Sequence, residues 1–185
     1  MTAKLSGIPE TLLIPLWARA VEGEEPDPIV RDDKAAEMVR QIEYDFAKFA
    51  KARLSQLGVA IRTMLLDRAT SDFLRRNPDG VVVNLGAGLD TRRHRLGVET
   101  DWYEPDLAES LELRRRFFEE TDRYRFLTAS VFDTEWMEKV DDAGRPVLLI
   151  AEGLCIVRLP FIRSRIAPRI ARLRFEQSTE GGDES

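Results

Sequence analysis

The stretch Gly80-Val81-Val82-Val83-Asn84-Leu85-Gly86-Ala87-Gly88-Leu89-Asp90-Thr91 constrains this chain more than any other. Val81 to Leu85 is a short apolar run rich in β-branched residues, the texture of a strand buried on both faces. Gly86 and Gly88 then break the run with a turn that keeps its backbone bare, and Asp90 or Thr91 can cap a helix behind it. Strand, glycine turn and helix start together offer main-chain N–H groups to a closely approaching nucleotide.

Before this strand the periodicity is helical. Leu12, Leu13, Leu16, Trp17 and Val21 give one apolar face to a helix over Pro9 to Glu22, with Pro15 as an expected irregularity. Asp32 to Ile42 reads as a second helix, with Ala35, Ala36, Met38, Val39 and Ile42 as its inner face. A longer helix runs from about Arg53 to Arg76 on the apolar set Leu54, Leu57, Ile61, Met64, Leu65, Phe73 and Leu74, and Asn77-Pro78-Asp79-Gly80 ends it. After the glycine turn, strands and helices alternate. Trp102-Tyr103-Glu104 reads as a strand closed by Pro105, Leu107 to Glu119 as a helix, and Tyr124 to Ala129 as a third strand. A short helix over Glu135 to Val140 and an apolar strand over Pro146 to Ala151 follow. That alternation implies an α/β fold with parallel pairing and right-handed crossovers. The expected organisation is a helical cap over 1–78, a partial Rossmann-like domain over 79–157 and an atypical arginine-rich tail over 158–185.

Composition narrows the function classes. A net charge of −5 argues against nucleic acid as a partner. The single cysteine, Cys155, allows no internal disulfide and suits a reducing cytoplasm. No apolar run reaches membrane-spanning length, so no membrane partner is expected. The only histidine, His94, sits in a basic turn, is expected to be exposed, and leaves no Ser-His-Asp triad elsewhere. Arg114-Arg115-Arg116 reads as the solvent side of a helix, and Trp17, Trp102 and Trp136 as packing residues.

Two glycines after a strand are a weak signal alone, and the third glycine of the dinucleotide pattern is replaced by Thr91. Spacing strengthens the case. Glu104 and Asp106 fall 18 and 20 residues after Gly86, where an acid in a doubly wound fold accepts from ribose hydroxyls. The alternative is that both are solvated acids near a loop. Asn84 to Arg92, Trp102 to Leu107, Ser130-Val131-Phe132-Asp133 and Ala151-Glu152-Gly153-Leu154, in that order, resemble the leucine carboxyl methyltransferase family and its bacterial polyketide O-methyltransferase branch. The resemblance covers about Leu12 to Leu154. It implies a class I S-adenosylmethionine-dependent methyltransferase fold, with S-adenosyl-L-methionine as cofactor and a small-molecule carboxylate or phenol as methyl acceptor.

The same resemblance implies roles for individual residues. Arg62 matches the arginine that reaches the cofactor's carboxylate, a planar anion suited to a guanidinium fork. Gly86 and Gly88 match the turn beneath the methionine part, and Asp106, with Glu104 nearby, the ribose acid. Ser130, Val131 and Asp133 match the segment beside the adenine, although Asp133 reads equally as a helix N-cap. Glu152 matches the acid facing the methionine end and the acceptor, while Asp90 is expected to stiffen the turn. No residue is singled out as catalytic and no metal is implied. A non-catalytic fragment and a nicotinamide-dependent oxidoreductase are the competing readings.

The chain departs from the family after residue 154. From Arg158 to Arg174 it carries six arginines, no lysine and no acid, with Pro168 inside a helical spacing of isoleucines. A C-terminal truncation is the expectation, by frameshift or early stop. It would leave the fourth strand as a sheet edge open to self-association.

Overall fold

The computed structural model describes residues 9–50 and 53–152. Cys155 and the arginine-rich tail lie outside the described residues. Within them the chain forms two compact units. The first is helical and takes in the described residues up to Pro78, together with Gly88–Glu99 and Leu113–Glu119. The second carries the sheet and takes in Asp79–Ala87, Thr100–Glu112 and residues 120–152.

In the helical unit α1 (Glu10–Glu22) packs on α2 (Asp33–Gln41) and on α3 (Arg53–Arg76). A 3₁₀ turn, Phe46–Phe49, and the short α4 (Arg92–Leu96) complete it. Leu13, Leu16, Ala35 and Met38 are fully buried, as the periodicity of the first two helices requires. Helix α1 continues through Pro15, so the expected irregularity does not end it. The apolar set of α3 behaves differently. Leu54, Leu57, Ile61 and Leu65 are exposed, and the buried positions are Val59, Ala60, Thr63 and Thr70. The inward face of α3 is made of small residues and reaches, through Asp67, for the arginines of α4.

That reach belongs to a buried ionic network centred on Asp32. Its Oδ1 accepts from the backbone N–H of Ala35 at 2.9 Å, capping α2. Its Oδ2 accepts from Arg19 Nε at 2.9 Å, Arg95 Nη1 at 2.9 Å and Thr91 Oγ1 at 2.5 Å. Asp67 pairs with Arg92 Nε at 2.9 Å and Arg95 Nε at 2.7 Å, and Asp90 pairs with Arg92 Nη1 at 2.7 Å. Burial works to raise the pKa of Asp90, but the guanidinium groups of Arg92, Arg95, Arg19 and Arg114 outweigh it and hold the carboxyl well below the usual range. Burial likewise opposes the charge on Arg95, and the hydrogen bond to Asp67 with the charges of Asp90, Asp67 and Asp32 holds it protonated.

The sheet unit contains β1 (Val81–Asn84), β2 (Trp102–Asp106), β3 (Tyr124–Thr128), β4 (Val147–Ile150) and α5 (Ala108–Arg114) except its last two residues, which belong to the helical unit. All pairings are parallel and the spatial order is β3-β2-β1-β4. Every residue of β1 is buried, as a central parallel strand requires. Register places Val82 beside Trp102 and Leu148, and Val83 beside Tyr103 and Leu149. One face gathers Val81, Val83, Leu85 and Tyr103 under Val131 and Trp136, the latter from a 3₁₀ turn over Glu135–Lys139.

Two expected boundaries are corrected. Strand β2 runs through Pro105, paired with Leu127, to Asp106 paired with Thr128. Odd residues of β2 face β1, so the N–H that proline lacks falls on the rung where β1 gives way to the glycine turn. The Pro105 carbonyl still accepts from Gly86 N at 2.8 Å. Helix α5 stops at Arg114, well before Glu119, and Arg114 is buried rather than solvent-facing. Its carbonyl accepts from the N–H groups of Phe117 and Phe118 as the chain turns over, and its guanidinium lies 4.3 Å from the Phe118 ring centroid.

Asp32→Ala removes the acceptor shared by Arg19 and Arg95, and is expected to destabilise the protein by about 3 kcal/mol, roughly 10 °C in Tm for a chain of this size. Asn at the same position should lose less, because it keeps the cap oxygen. The depressed pKa of Asp90 sets a pH dependence. Its contribution is complete above the unfolded value near pH 4 and is lost as pH falls below it toward the folded value. Urea midpoints should therefore drop steeply between about pH 4 and pH 2, and a flat profile there would contradict the network.

Candidate functional site

The sheet order locates the site. Strands β1, β2 and β3 step outward in one direction, and the chain then returns to place β4 on the other side of β1. In open parallel sheets ligands settle outside the carboxyl ends of the strands where the order reverses. Here that place lies beyond Asn84 of β1 and Ile150 of β4, which are register partners. Leu85 N donates to the Ile150 carbonyl at 2.8 Å, so the two strands leave the sheet together. Gly86 and Glu152 follow within two residues of these ends. Gly86 takes φ +59°, a left-handed conformation open to glycine at no steric cost, and Glu152 is half-buried.

The acids of β2 separate into two roles. Glu104 is 1% exposed and turned into the sheet face, where Oε1 accepts from Trp102 Nε1 at 3.0 Å and Oε2 from the Tyr124 hydroxyl at 3.1 Å. Asp106, the last residue of β2, accepts from the Leu107 N–H at 2.8 Å and lies at the carboxyl end of the sheet. Beyond β3, Ser130 Oγ accepts from Phe132 N at 3.2 Å, and Val131 packs into the core under the sheet. Asp133 is exposed, and Thr134 takes the N-cap position that Asp133 was equally expected to fill.

Arg62 and Gly88 belong to the helical unit. Arg62 is half-buried on α3. Gly88 has φ +50°, which selects glycine, and a Cβ there would come within 2.6 Å of Leu12 Cδ2, a side-chain end that would have to turn aside. Behind it, Arg114 Nη1 donates to the Gly88 carbonyl and Nη2 to the Asp90 carbonyl, each at 2.8 Å, and Arg19 Nη2 donates to the Leu89 carbonyl at 3.0 Å. Asp90 Oδ1 accepts from Arg92 N at 3.1 Å, which is the stiffening role expected of it. His94 is exposed as expected, with its ring 4.8 Å from that of Phe118. Burial, then the charges of Arg114, Arg93 and Lys34, lower its pKa.

Arg19 was not among the expected site residues, and Arg114, expected on the solvent side of its helix, is buried. Arg19 carried a signal, since it falls seven residues after Leu12 and three after Leu16, on the apolar stripe of α1. A cation on such a stripe implies a buried partner. Arg114 carried none, because it sits in a run of three arginines that looks uniformly solvated.

The family profile described as leucine carboxyl methyltransferase matches residues 13–157. The tetracenomycin polyketide synthesis O-methyltransferase TcmP of Streptomyces glaucescens is 38% identical over 88% of this chain and 59% of its own length. An S-adenosyl-L-methionine-dependent methyltransferase, dpfgK, of Gibberella zeae is 32% identical over 81% of this chain and 56% of its own length. The chain thus spans under six-tenths of the length of either relative. Among the described residues no group of histidine, cysteine and acidic side chains could hold a metal ion, and no helix is long and apolar enough to cross a membrane.

Glu104→Ala would leave the Trp102 and Tyr124 donors buried without their acceptor, and is expected to cost about 2 kcal/mol in thermal or urea unfolding. Glu104→Gln keeps one acceptor oxygen and should cost less. A Glu104→Ala protein as stable as the parent would remove the structural role assigned here.

Proposed function

The chain belongs to the leucine carboxyl methyltransferase family, and from that membership we propose that it is an S-adenosyl-L-methionine-dependent O-methyltransferase acting on a carboxylate or phenol of a small, polyketide-like molecule. The observation that carries the reading is the β3-β2-β1-β4 order, with Gly86 and Glu152 just beyond the neighbouring strands where the order reverses and Asp106 at the end of β2. The missing third glycine supports a methyl donor over a dinucleotide, because a methyl donor has no diphosphate to cradle.

The chemistry of the side chains fits such a donor. S-adenosylmethionine carries an ammonium, two ribose hydroxyls and an exocyclic amine, all donors, and one carboxylate. Asp106 would accept from the ribose, Asp133 from the exocyclic amine and Glu152 from groups at the methionine end. Arg62 would pair with the carboxylate. When bound, the cofactor supplies an electrophilic methyl group whose leaving group is a neutral thioether. The protein's part is to orient the acceptor oxygen in line with that methyl and to exclude water. A carboxylate acceptor needs no base for this step, while a phenol must lose a proton, for which a carboxylate such as Glu152 would serve.

Calorimetric titration of the folded 185-residue chain should show binding of S-adenosylhomocysteine and none of NAD. Asp106→Ala is expected to weaken the former by roughly 10- to 100-fold, the loss typical of a hydrogen bond to a charged group. No heat with S-adenosylhomocysteine in a folded sample would sink the reading, and heat with NAD instead would favour an oxidoreductase.

A further inference from the structure

Resting on the cofactor reading above, we infer that Arg19 and Arg114 are positioning residues for the amino-acid end of the methyl donor, acting by fixing the peptide groups that follow the glycine turn. Three successive carbonyls, those of Gly88, Leu89 and Asp90, each accept from one of these two guanidiniums at 2.8–3.0 Å. Both side chains are almost fully buried, at 2% and 1% exposure. The C=O and N–H of a planar trans peptide point in opposite directions. Holding the three carbonyls toward the guanidiniums therefore turns the N–H groups of Leu89, Asp90 and Thr91 the other way.

The grip depends on the fork geometry of arginine. The two Nη atoms of Arg114 reach carbonyls two residues apart from fixed positions in one plane, whereas an ammonium would have to serve both from a single nitrogen. Its seat over Phe118 fixes the direction of approach. Arg19 donates to the loop through Nη2 while its Nε is held by Asp32, so the loop is tied to the residue that caps α2. Neither arginine is among the residues expected to touch the donor. Their effect on binding passes through the main chain of the segment that does.

The test compares two ligands in the full chain: S-adenosylhomocysteine, and 5′-methylthioadenosine, which lacks the amino-acid end. With the unsubstituted protein as reference, Arg114→Met should lose about tenfold in affinity for S-adenosylhomocysteine and leave 5′-methylthioadenosine binding unchanged. Arg114→Lys, which keeps the charge but not the planar fork, should recover part of the loss, and it carries the same comparison if the methionine variant does not fold. Unchanged affinity for S-adenosylhomocysteine, or equal losses for both ligands, would overturn the positioning role while leaving the cofactor reading in place. An unsubstituted protein that binds neither ligand would overturn the cofactor reading, and this role with it.

Discussion

The carboxylate of Asp32 does two jobs with its two oxygens, and the helical unit depends on both. One oxygen starts α2 by capping it; the other collects Arg19 from α1 and Thr91 and Arg95 from the segment behind the glycine turn. A carboxylate at 2% exposure is tolerable only because these donors replace its water. Asp67 and Asp90 repeat the arrangement around Arg92 and Arg95, so three acids and three arginines neutralise one another among otherwise apolar helices. Such a network specifies geometry more than it adds stability, since each member requires the others in place. What it specifies here is the path of the chain immediately after Gly88.

The sheet unit uses a different device. Its strands are short and its register is fixed by β-branched and aromatic neighbours in parallel ladders. Glu104 inserts a carboxylate into that face and satisfies it with Trp102 and Tyr124, so even its acid serves packing. Two residues further on, Asp106 stands where the strand ends. The two acids lie on the same face of β2, and their difference in role follows from distance along the strand. Asp106 therefore lies at the carboxyl end of the sheet, while Glu104 is spent inside it.

The elements themselves were legible because their periods are strong. The span of α3 agrees with its expected span, β1 and β4 fall inside theirs, and α2 begins beside the acid that caps it. Burial was less legible. The large side chains of α3, Leu54, Leu57, Ile61 and Leu65, are exposed because the facing helix needs small residues and a carboxylate from α3 rather than bulk. The run through Pro105 was misjudged because the cost of proline depends on which neighbour lacks a donor, and that is a property of register. The candidate site residues other than Arg62 were named from four motifs in order, and the strand order puts Gly86, Asp106 and Glu152 at or just beyond the carboxyl ends of their strands. The arginines behind the turn were not legible, since a buried guanidinium and a solvated one are written with the same letter and are told apart by partners tens of residues away.

That separation has a consequence for how the protein is made. The helical unit is interrupted twice by stretches belonging to the sheet. Its binding contacts are long-range: Thr91 to Asp32 spans 59 residues, Arg95 to Asp32 spans 63, and Arg19 to Leu89 spans 70. On a ribosome α1 and α2 emerge with the Arg19–Asp32 pair only partly partnered, and must wait, through the synthesis of α3 and β1, for Leu89, Thr91 and Arg95 to complete it. No single cut in the chain separates the two units. They are interleaved in time as well as in sequence, and neither can be inherited, expressed or lost as a contiguous piece.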